Sequence, residues 1–537
     1  MSLPTPLDFP VTWEEPGDEE LLWFRDDSHQ PEPVTPLAHD FIRLVYGEGM
    51  NAAAERYGLP FRARRRCFHT WCYAAMAPAA LSPTGHDPAA MRRAALDTAQ
   101  DWAGEWLPEI QGRLAWWRSR DLAGASLPKL RELLAVAVVF ARRMGEIHFL
   151  ATGPGLLVLS EFEERWGELC GSGAAACRLL TMPDTKNAQL RRALEDLAAL
   201  ARSEPAVRQA LAAGSAAQAL ARLAGFPAGR VFRAGLESFL AEWGRRGGNN
   251  WGIDRPSWQE DPGPVLGSLR GILEAPPAPE GTLVAADELL ERLGDDPRRE
   301  ELASGLRLAR VAAQVKEDHS FWIDFAAGHE VRLLLLELGR RLSEAGVLET
   351  GEDVFRLTLG ELDRTVQTLE DRRELVAARR AEEDEFRTVT PPKTLGTPPA
   401  GAGPPHPLLR VMGKVFGGRP QAATADLLPG TPASPGKLRG TARVLRSPAE
   451  AGRLRPGEVL VAPTTTPSWL PLFAAAAAVV TDVGGVLSHA AVVAREFGIP
   501  AVVGTGCATS ILVDGRPVEV DGDAGVVRLL RAGGDAG

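Results

Sequence analysis

The sequence predicts a multidomain protein in which a large, mainly α-helical domain is followed by a small α/β domain. The chain has 537 residues, too many for a single hydrophobic core, which usually stops growing near ~250–300 residues. The hydrophobic period also changes along the chain, from helix-like spacing over residues 41–388 to short strand-like runs over residues 416–537. The intervening segment 389–415 is rich in Pro and Gly, and we interpret it as a linker between domains.

Residues 1–40 are rich in Pro, Trp and acidic side chains, and we expect an extended segment that packs on the helical domain. From residue 41 onward, apolar side chains recur every three to four positions among Ala and Leu, which predicts helices. Residues 359–387 are predicted to form one long, solvent-exposed helix. The basic run Arg62–Arg66 is interpreted as a solvated helix face.

Short apolar runs after the linker predict the strands of the α/β domain, at residues 440–447, 457–463, 477–482, 501–504, 516–522 and 525–530. Helical stretches lie between several of these runs. The resulting domain has the size of an ordinary small domain.

Composition limits the function classes. The net charge of −10 argues against a nucleic-acid binder, which usually carries a basic face. No run reaches the ~18 apolar residues of a membrane span, and the N-terminus lacks the pattern of a signal peptide. Neither Cys67 with Cys72 nor Cys170 with Cys177 has a second pair to complete a zinc site, so we predict no metal site and buried free thiols. These features predict a cytoplasmic protein without nucleic-acid or membrane partners.

The stretch 481–504, TDVGGVLSHAAVVAREFGIPAVVG, places a histidine at the start of a helix. His489 follows an apolar strand, the glycine pair 484–485 and Ser488, which can cap the helix. The positive end of the helix dipole disfavours a charged imidazole and favours a bound anion. A neutral ring there could act as a nucleophile toward phosphorus, with Arg495 near the phosphoryl group or packed beneath it. The alternative is a capped helix with a hydrogen-bonded histidine, and spacing alone does not decide between the two.

The same stretch resembles the phosphohistidine signature of phosphoenolpyruvate-utilising enzymes, among them pyruvate phosphate dikinase, phosphoenolpyruvate synthase and rifampicin phosphotransferase. The resemblance continues through residues 434–473 and 520–530. It implies a swivelling β/β/α domain in which His489 is the catalytic residue that takes up and passes on a phosphoryl group. The phosphohistidine loop that it implies consists of Gly484, Gly485, Ser488 and Arg495.

Residues 239–262 and 315–362 are more loosely similar to the helical acceptor-binding domain of rifampicin-phosphotransferase-like enzymes. Where that family has Gly-His-Arg, this chain has Gly244-Arg245-Arg246, and the Glu that follows is replaced near Asn249-Asn250. The chain therefore uses other groups on an acceptor, or catalyses a different reaction. The candidate acceptor-binding residues are Arg245, Arg246, Lys316, His148, His319, Asp27 and His29. For each one taken singly, a structural hydrogen bond or a surface position is the commoner interpretation.

No nucleotide-binding pattern is recognised, since GGNNWG at 247–252 matches neither a phosphate loop nor a dinucleotide fingerprint. We therefore expect a separate ATP-grasp (phosphoenolpyruvate/pyruvate-binding-like) partner to charge His489. ATP and Mg²⁺ would bind at that partner's site, and no cofactor is assigned to this chain. Phenylphosphate synthase resembles such a split arrangement. The function expected is a phosphotransferase component acting on a small-molecule acceptor. The alternatives are a phosphoryl-activated condensing or dehydrating enzyme, as in prodigiosin-ligase-like relatives, and a non-catalytic phosphohistidine carrier.

Overall fold

A computed structural model describes residues 9–79, 88–182, 184–212, 214–247, 250–274, 286–397, 407–417, 422–424 and 426–530. The chain forms two compact units. The first unit draws on residues 1–154, 249–255 and 319–404, and the second on residues 155–248, 256–318 and 405–537. Each unit is described by itself below.

Helices dominate the described residues. The α-helices in chain order are α1 (Pro36–Ile42), α2 (Met50–Arg56), α3 (Pro88–Asp101), α4 (Leu107–Arg118), α5 (Leu127–Cys170), α6 (Gly173–Cys177), α7 (Lys186–Ser203), α8 (Pro205–Ala212), α9 (Ala216–Ala224), α10 (Pro227–Trp243), α11 (Gly263–Glu274), α12 (Ala286–Glu291), α13 (Arg298–His319), α14 (Gly328–Glu344), α15 (Leu359–Thr368), α16 (Arg373–Arg387), α17 (Pro407–Phe416), α18 (Leu470–Phe473), α19 (His489–Phe497) and α20 (Ala508–Ile511). The backbone widens into π-helix at Arg43–Gly49, Trp102–Trp106 and Ser320–Ala327. Within the described ranges, no helix combines the length and apolarity needed to cross a bilayer.

The strands fall into two sheets. In chain order they are β1 (Leu22–Arg25), β2 (Phe61–Phe68), β3 (Trp71–Pro78), β4 (Thr394–Gly396), β5 (Leu427–Pro429), β6 (Thr431–Ser434), β7 (Lys437–Val444), β8 (Glu458–Ala462), β9 (Ala478–Thr481), β10 (Ala501–Val503), β11 (Pro517–Asp521) and β12 (Val526–Leu529). The first unit holds an antiparallel sheet of order β2-β3-β1-β4, and the second unit a mixed sheet of order β5-β12-β11-β7-β8-β9-β10-β6.

The sheet of the first unit corrects the interpretation of the basic run at 62–66. These residues form strand β2 rather than a helix face. Alternation along the strand buries Arg65, which forms an ion pair with the buried Asp26. Arg64 and Arg66 both contact the carboxylate of Asp18. The acidic N-terminal segment thus neutralises the run, and helical periodicity over so few residues could not reveal that pairing.

A second correction concerns residues 359–387, which form two helices rather than one. Helix α15 ends at Leu369, whose backbone is left-handed at φ 54°. Asp371 then accepts the main-chain N–H of Arg373 at 3.0 Å, where α16 begins. A non-glycine residue in this conformation is uncommon, so the sequence carried no signal for the break.

The sheet of the second unit surrounds the core of the C-terminal region. Strands β7, β8, β9 and β10 run parallel, and β8, β9 and β10 are buried along their whole length. The predicted fold class, a large helical region followed by a small α/β region, is confirmed. The predicted linker segment includes β4 and all of α17 except Phe416, while residues 398–406 lie outside the described residues. The domain boundaries predicted above remain predictions.

Candidate active site

The glycine pair at 484–485 shapes the turn that precedes helix α19. Gly484 has φ 135°, a conformation that side chains rarely adopt. At Gly485 a Cβ atom would collide with the carbonyl group of Lys414. That approach is close because the N–H of Gly485 donates to the Val415 carbonyl at 3.1 Å. Both glycines are therefore required by the backbone path at the start of the helix.

His489 is the first residue of α19, behind Ser488, whose Oγ accepts the Ala491 N–H at 3.4 Å. The main chain at Thr466 accepts a hydrogen bond from the His489 ring. Nε2 is shielded from solvent and has no hydrogen-bond partner among the described residues. Burial lowers the pKa of His489 to about 4, and a nearby carboxylate, Glu317, offsets part of that effect. At neutral pH the ring is therefore uncharged, with its proton on Nδ1 and a lone pair on Nε2.

A chain of buried polar side chains supplies the charges that act on this ring. Lys316 Nζ donates to Glu317 Oε1 at 3.0 Å, and Asn187 Nδ2 donates to Glu317 Oε2 at 2.7 Å. Arg246 Nη1 donates to Asn187 Oδ1 at 3.3 Å. Arg246 is 1% exposed, and burial lowers its pKa to about 10, so it stays cationic at neutral pH. Two of the predicted acceptor-binding residues, Arg246 and Lys316, thus lie in the electrostatic environment of His489.

A small pocket lies beside α19, lined by residues of α19 and α13 together with the segment around α6. Glu496 and Glu317 both line it. Burial, with Glu317 second, raises the pKa of Glu496 to about 8. Glu496 is therefore mostly protonated at pH 7, so the pocket holds one carboxylate against the cations Lys316 and Arg495.

Arg495 lies in the last turn of α19. Its guanidinium is buried and Nη1 donates to the carbonyl of Ala433 at 2.7 Å. The Arg495 side chain therefore fixes α19 against strand β6. The two positions considered for this residue relative to a phosphoryl group remain predictions.

The remaining sequence-predicted residues lie elsewhere. Arg245 is on the surface of the second unit, where Nη1 donates to the Ala241 carbonyl at 3.0 Å. Asp27 belongs to the first unit and forms an ion pair with Arg25. His29, also in the first unit, contacts Asp26 through Nδ1 at 2.8 Å and stacks on the Tyr46 ring. Asp27 and His29 thus belong to a different unit from His489, whereas Arg245 belongs to the same one.

His148 and His319 meet in a second polar cluster, which is buried inside the first unit. Its centre is Asp324, which is 1% exposed. His148 Nδ1 lies 3.2 Å from Asp324 Oδ1, and His319 Nε2 lies 3.7 Å from Oδ2. The Tyr46 hydroxyl donates to Oδ1 at 2.9 Å, and Asn250 Nδ2 donates to Oδ2 at 3.1 Å. We refer to these five residues as the Asp324 cluster.

Sequence reasoning missed the partners that complete both sites: Asn187, Glu317 and Glu496 in the second unit, and Tyr46, Asn250 and Asp324 in the first. Glu317 and Asp324 both stand in the run VKEDHSFWID at residues 315–324, where the polar stretch 316–320 is followed by the apolar stretch 321–323. The position at which the family's Glu is replaced contains Asn250, and this amide contacts the central carboxylate.

Comparisons with known proteins match both parts of the His489 site. Residues 454–525 match the family described as the PEP-utilising enzyme, mobile domain, and this range contains His489. Residues 152–317 match the rifampicin phosphotransferase fourth domain, and this range contains Asn187, Arg246, Lys316 and Glu317.

Three curated relatives extend the similarity. The rifampicin phosphotransferase of Streptomyces sviceus is 31% identical over 76% of this chain and 48% of its own length. An uncharacterized phosphotransferase of Bacillus subtilis, YvkC, is 29% identical over 72% of this chain and 47% of its own. Chondramide synthase of Chondromyces crocatus is 37% identical over 98% of this chain, which spans 14% of that protein. The chain thus spans about half the length of the two phosphotransferases and a small part of the synthase.

The second unit therefore contains a mobile domain of the type found in phosphoenolpyruvate-utilising enzymes. Within that class the chain is rifampicin-phosphotransferase-like over about three quarters of its length. The family resemblance predicted from residues 481–504 is confirmed.

Proposed function

We propose that this chain is the carrier and acceptor component of a phosphotransferase, and that His489 is phosphorylated on Nε2. The observation that carries the proposal is the state of the imidazole, which is neutral and holds its proton on Nδ1. Its Nε2 lone pair has no hydrogen-bond partner among the described residues. A nitrogen in this state is a nucleophile that needs no base to activate it.

In the first step the Nε2 lone pair attacks a phosphorus of a nucleoside triphosphate. The N–P bond forms as the P–O bond to the leaving nucleotide breaks, and the ring acquires a positive charge. The bond from the ring N–H to the Thr466 carbonyl stabilises that charge. Lys316 and Arg246, whose charges act on the His489 ring, offset the negative charge of the phosphoryl group.

In the second step the oxygen of an acceptor hydroxyl attacks phosphorus and the N–P bond breaks. Neutral imidazole leaves, and the hydroxyl proton passes to a base. Glu317 is a carboxylate in the electrostatic environment of His489, and we assign it this role. The acceptor we propose is a small molecule, in keeping with the names of the rifampicin phosphotransferase relatives.

The phosphoryl donor we propose is ATP bound with Mg²⁺ to an ATP-grasp protein, which transfers a phosphoryl group to His489. This assignment follows from the resemblance of residues 481–504 to the phosphohistidine signature. Rotation of the mobile domain would separate the charging step from the delivery step, which keeps the N–P bond away from water.

A second candidate function is suggested by the chondramide synthase relative. The similarity to that protein covers 98% of this chain, against 76% for the rifampicin phosphotransferase. In that case the phosphoryl group would activate a carboxyl or hydroxyl group, which a second nucleophile or an elimination then displaces as phosphate. Phosphate release together with a product lacking phosphorus would distinguish this reaction from simple phosphorylation.

The proposal can be tested without knowing the partner, because phosphoramidate phosphorylates reactive histidines directly. The full chain should gain one phosphoryl group that is labile to acid and stable to base, and phosphorus NMR should place it on Nε2. The variant His489→Ala should gain none. His69→Ala is the matched control, because His69 is a partly exposed histidine of the first unit. Equal labelling of the His489→Ala variant would contradict the proposal.

The charging partner is tested by mixing the chain with candidate ATP-grasp proteins and ATP labelled either at the middle or at the terminal phosphate, in separate reactions. We expect label to appear on the wild type and not on the His489→Ala variant. If phosphoramidate labels His489 while no nucleotide-dependent protein does, the carrier role stands and the assignment of the donor fails.

A further inference from the structure

The Asp324 cluster brings together a set of atoms that suits a metal ion. One ring nitrogen of His148, one ring nitrogen of His319 and one carboxylate oxygen of Asp324 lie within 4.8 Å of one another. The two imidazole rings are perpendicular, with centroids 4.5 Å apart. Two imidazoles and one carboxylate are a common ligand set of divalent transition metals in proteins.

The backbone around this set is unusual at two positions. Asp324 lies in the π-helical segment Ser320–Ala327, directly after His319 at the end of α13. Tyr46 lies in a second π-helical segment, Arg43–Gly49. Such segments are rare in proteins and occur frequently at functional sites. Here they place a carboxylate and the phenol that contacts it in the buried interior of the first unit.

The cluster also has an outer layer of the kind that orients metal ligands. Tyr46 donates a hydrogen bond to one oxygen of Asp324, and Asn250 donates one to the other. His29 stacks on Tyr46 with ring centroids 5.6 Å apart. Hydrogen bonds to ligating carboxylates fix their orientation and tune the metal.

A buried oxygen adds an independent observation. Asn250 is 8% exposed, and its Oδ1 is shielded from solvent without a hydrogen-bond partner among the described residues. An acceptor buried without a partner costs about 1–3 kcal/mol. A cation, or water bound to a cation, would remove that cost.

Charge balance points in the same direction. Asp324 is 1% exposed, and apart from the imidazoles of His148 and His319 the groups on its oxygens, Tyr46 and Asn250, are both uncharged. A buried carboxylate needs a compensating positive charge, because desolvation of an isolated ion is costly. A divalent cation between the carboxylate and the two imidazoles would supply it.

We propose that His148, His319 and Asp324 form a binding site for a divalent first-row transition metal ion such as Zn²⁺. Tyr46 and Asn250 act on the ion through the carboxylate and are positioning residues. The proposal does not depend on phosphoryl transfer by His489, since it concerns the other unit and is tested by metal binding.

A second group of candidate ligands lies in the same unit and must be distinguished. His39, Cys67 and Cys72 also offer three ligand atoms within 4.8 Å of one another. The two thiols face each other across β2 and β3, with sulfurs 3.4 Å apart. Thiolate ligation would give sulfur-to-metal charge-transfer absorption, which the nitrogen and oxygen ligands of the Asp324 cluster do not produce.

The test uses the full chain, stripped with a chelator and titrated with Co²⁺ as a spectroscopic probe for Zn²⁺. We expect one Co²⁺ per chain, visible absorption without a thiolate charge-transfer band, and competition by Zn²⁺. His148→Ala and Asp324→Asn should each weaken binding by at least about tenfold. The matched control is the double variant Cys67→Ser with Cys72→Ser, which should bind like the wild type.

Two further variants keep the test decisive if the ligand variants fail to fold, as judged by circular dichroism. Tyr46→Phe should fold and weaken Co²⁺ binding about tenfold. Asn250→Asp adds an anionic oxygen beside Asp324 and should strengthen it. The proposal is overturned if the stripped wild type binds no Co²⁺, if these variants bind like the wild type, or if only the cysteine variant loses binding.

Discussion

At the scale of single residues, the protonation state of His489 decides what the site can do. A surface histidine would be partly charged near pH 6.5 and would then lack a free lone pair. Burial lowers the pKa of the His489 ring, so the Nε2 lone pair is available over the whole neutral pH range.

The titration of His489 should be visible directly by NMR. With nitrogen-labelled histidine, we expect the ring to remain neutral and protonated on Nδ1 down to about pH 4. The signal is assigned by its absence from the His489→Gln variant. Because the folded pKa is depressed, the ring stabilises the fold fully above pH 6.5, and that contribution is lost as the pH falls toward 4. A titration midpoint near 6.5 in the folded protein would contradict the environment described.

The pKa of Glu496 shifts in the opposite direction to that of His489. Its pKa is raised from 4.5 to about 8, so the unfolded chain ionises first as the pH rises. The free energy of unfolding therefore decreases as the pH rises from 4.5 to 8. Glu496→Gln should remove this loss and be more stable than the wild type by about 1–3 kcal/mol at pH 8. Denaturant unfolding at pH 5 and pH 8 measures the difference.

Glu300→Gln is the control for this comparison, because Glu300 is an exposed residue of the same unit. Its free energy of unfolding should equal that of the wild type at both pH values. A Glu496→Gln variant that gains nothing at pH 8 would mean that Glu496 is ionised in the folded protein.

At the scale of elements, the turn before α19 depends on a close approach of two backbones. Gly485→Ala places a methyl group against the Lys414 carbonyl, and the backbone must shift. We expect a loss of about 1–3 kcal/mol in the free energy of unfolding. Phosphorylation of His489 should slow as well, because the turn sets the position of the helix start.

The matched control lies on the neighbouring helix. Gly413 in α17 has open space where its Cβ would be added. Gly413→Ala should therefore be neutral or should stabilise by up to about 1 kcal/mol, since Ala favours a helix. Equal losses in both variants would show that α17, rather than the contact at Gly485, sets the stability.

The sheet of the first unit depends on the buried ion pair between Arg65 and Asp26. Asp26→Ala leaves a buried guanidinium without its carboxylate and should cost about 3–5 kcal/mol. Glu14→Ala is the control, because Glu14 is exposed and its ion pair with Arg66 spans 3.5 Å; it should cost less than about 1 kcal/mol. Chemical denaturation at pH 7 compares the two.

At the scale of the whole molecule, the charge distribution bears on partners. The basic run at 62–66 lies in strand β2. Its arginines Arg64, Arg65 and Arg66 are all paired with carboxylates. With a net charge of −10, little positive surface is available to phosphates. We expect no change in the fluorescence anisotropy of a labelled DNA duplex at ~0.15 M salt. Tight, salt-sensitive binding would contradict this prediction.

Sequence alone was sufficient for the features that are local along the chain. The glycine pair, the Ser488 cap and His489 fall within six residues, and each follows from turn and helix chemistry. The polar contacts that complete the two sites do not follow from local chemistry. Asn187 and Glu317 are 130 positions apart, and Tyr46 and Asp324 are 278 apart. Such pairs depend on how helices pack, which no local pattern encodes. The sequence did not predict the β2–β3 hairpin, because its arginines have the composition of a solvent-exposed surface. Their acidic partners lie far away along the chain.

The contact between α17 and the turn before α19 has a kinetic consequence. The amide hydrogens of Gly484, Gly485 and Leu487 bond to the last carbonyls of α17, at Phe416, Val415 and Lys414. Lys414 is in turn held by Glu163, at 2.6 Å. Deuterium can replace these three hydrogens only when α17 lifts from the turn. Their exchange rates, measured together, would therefore time the release of the turn before α19 from α17.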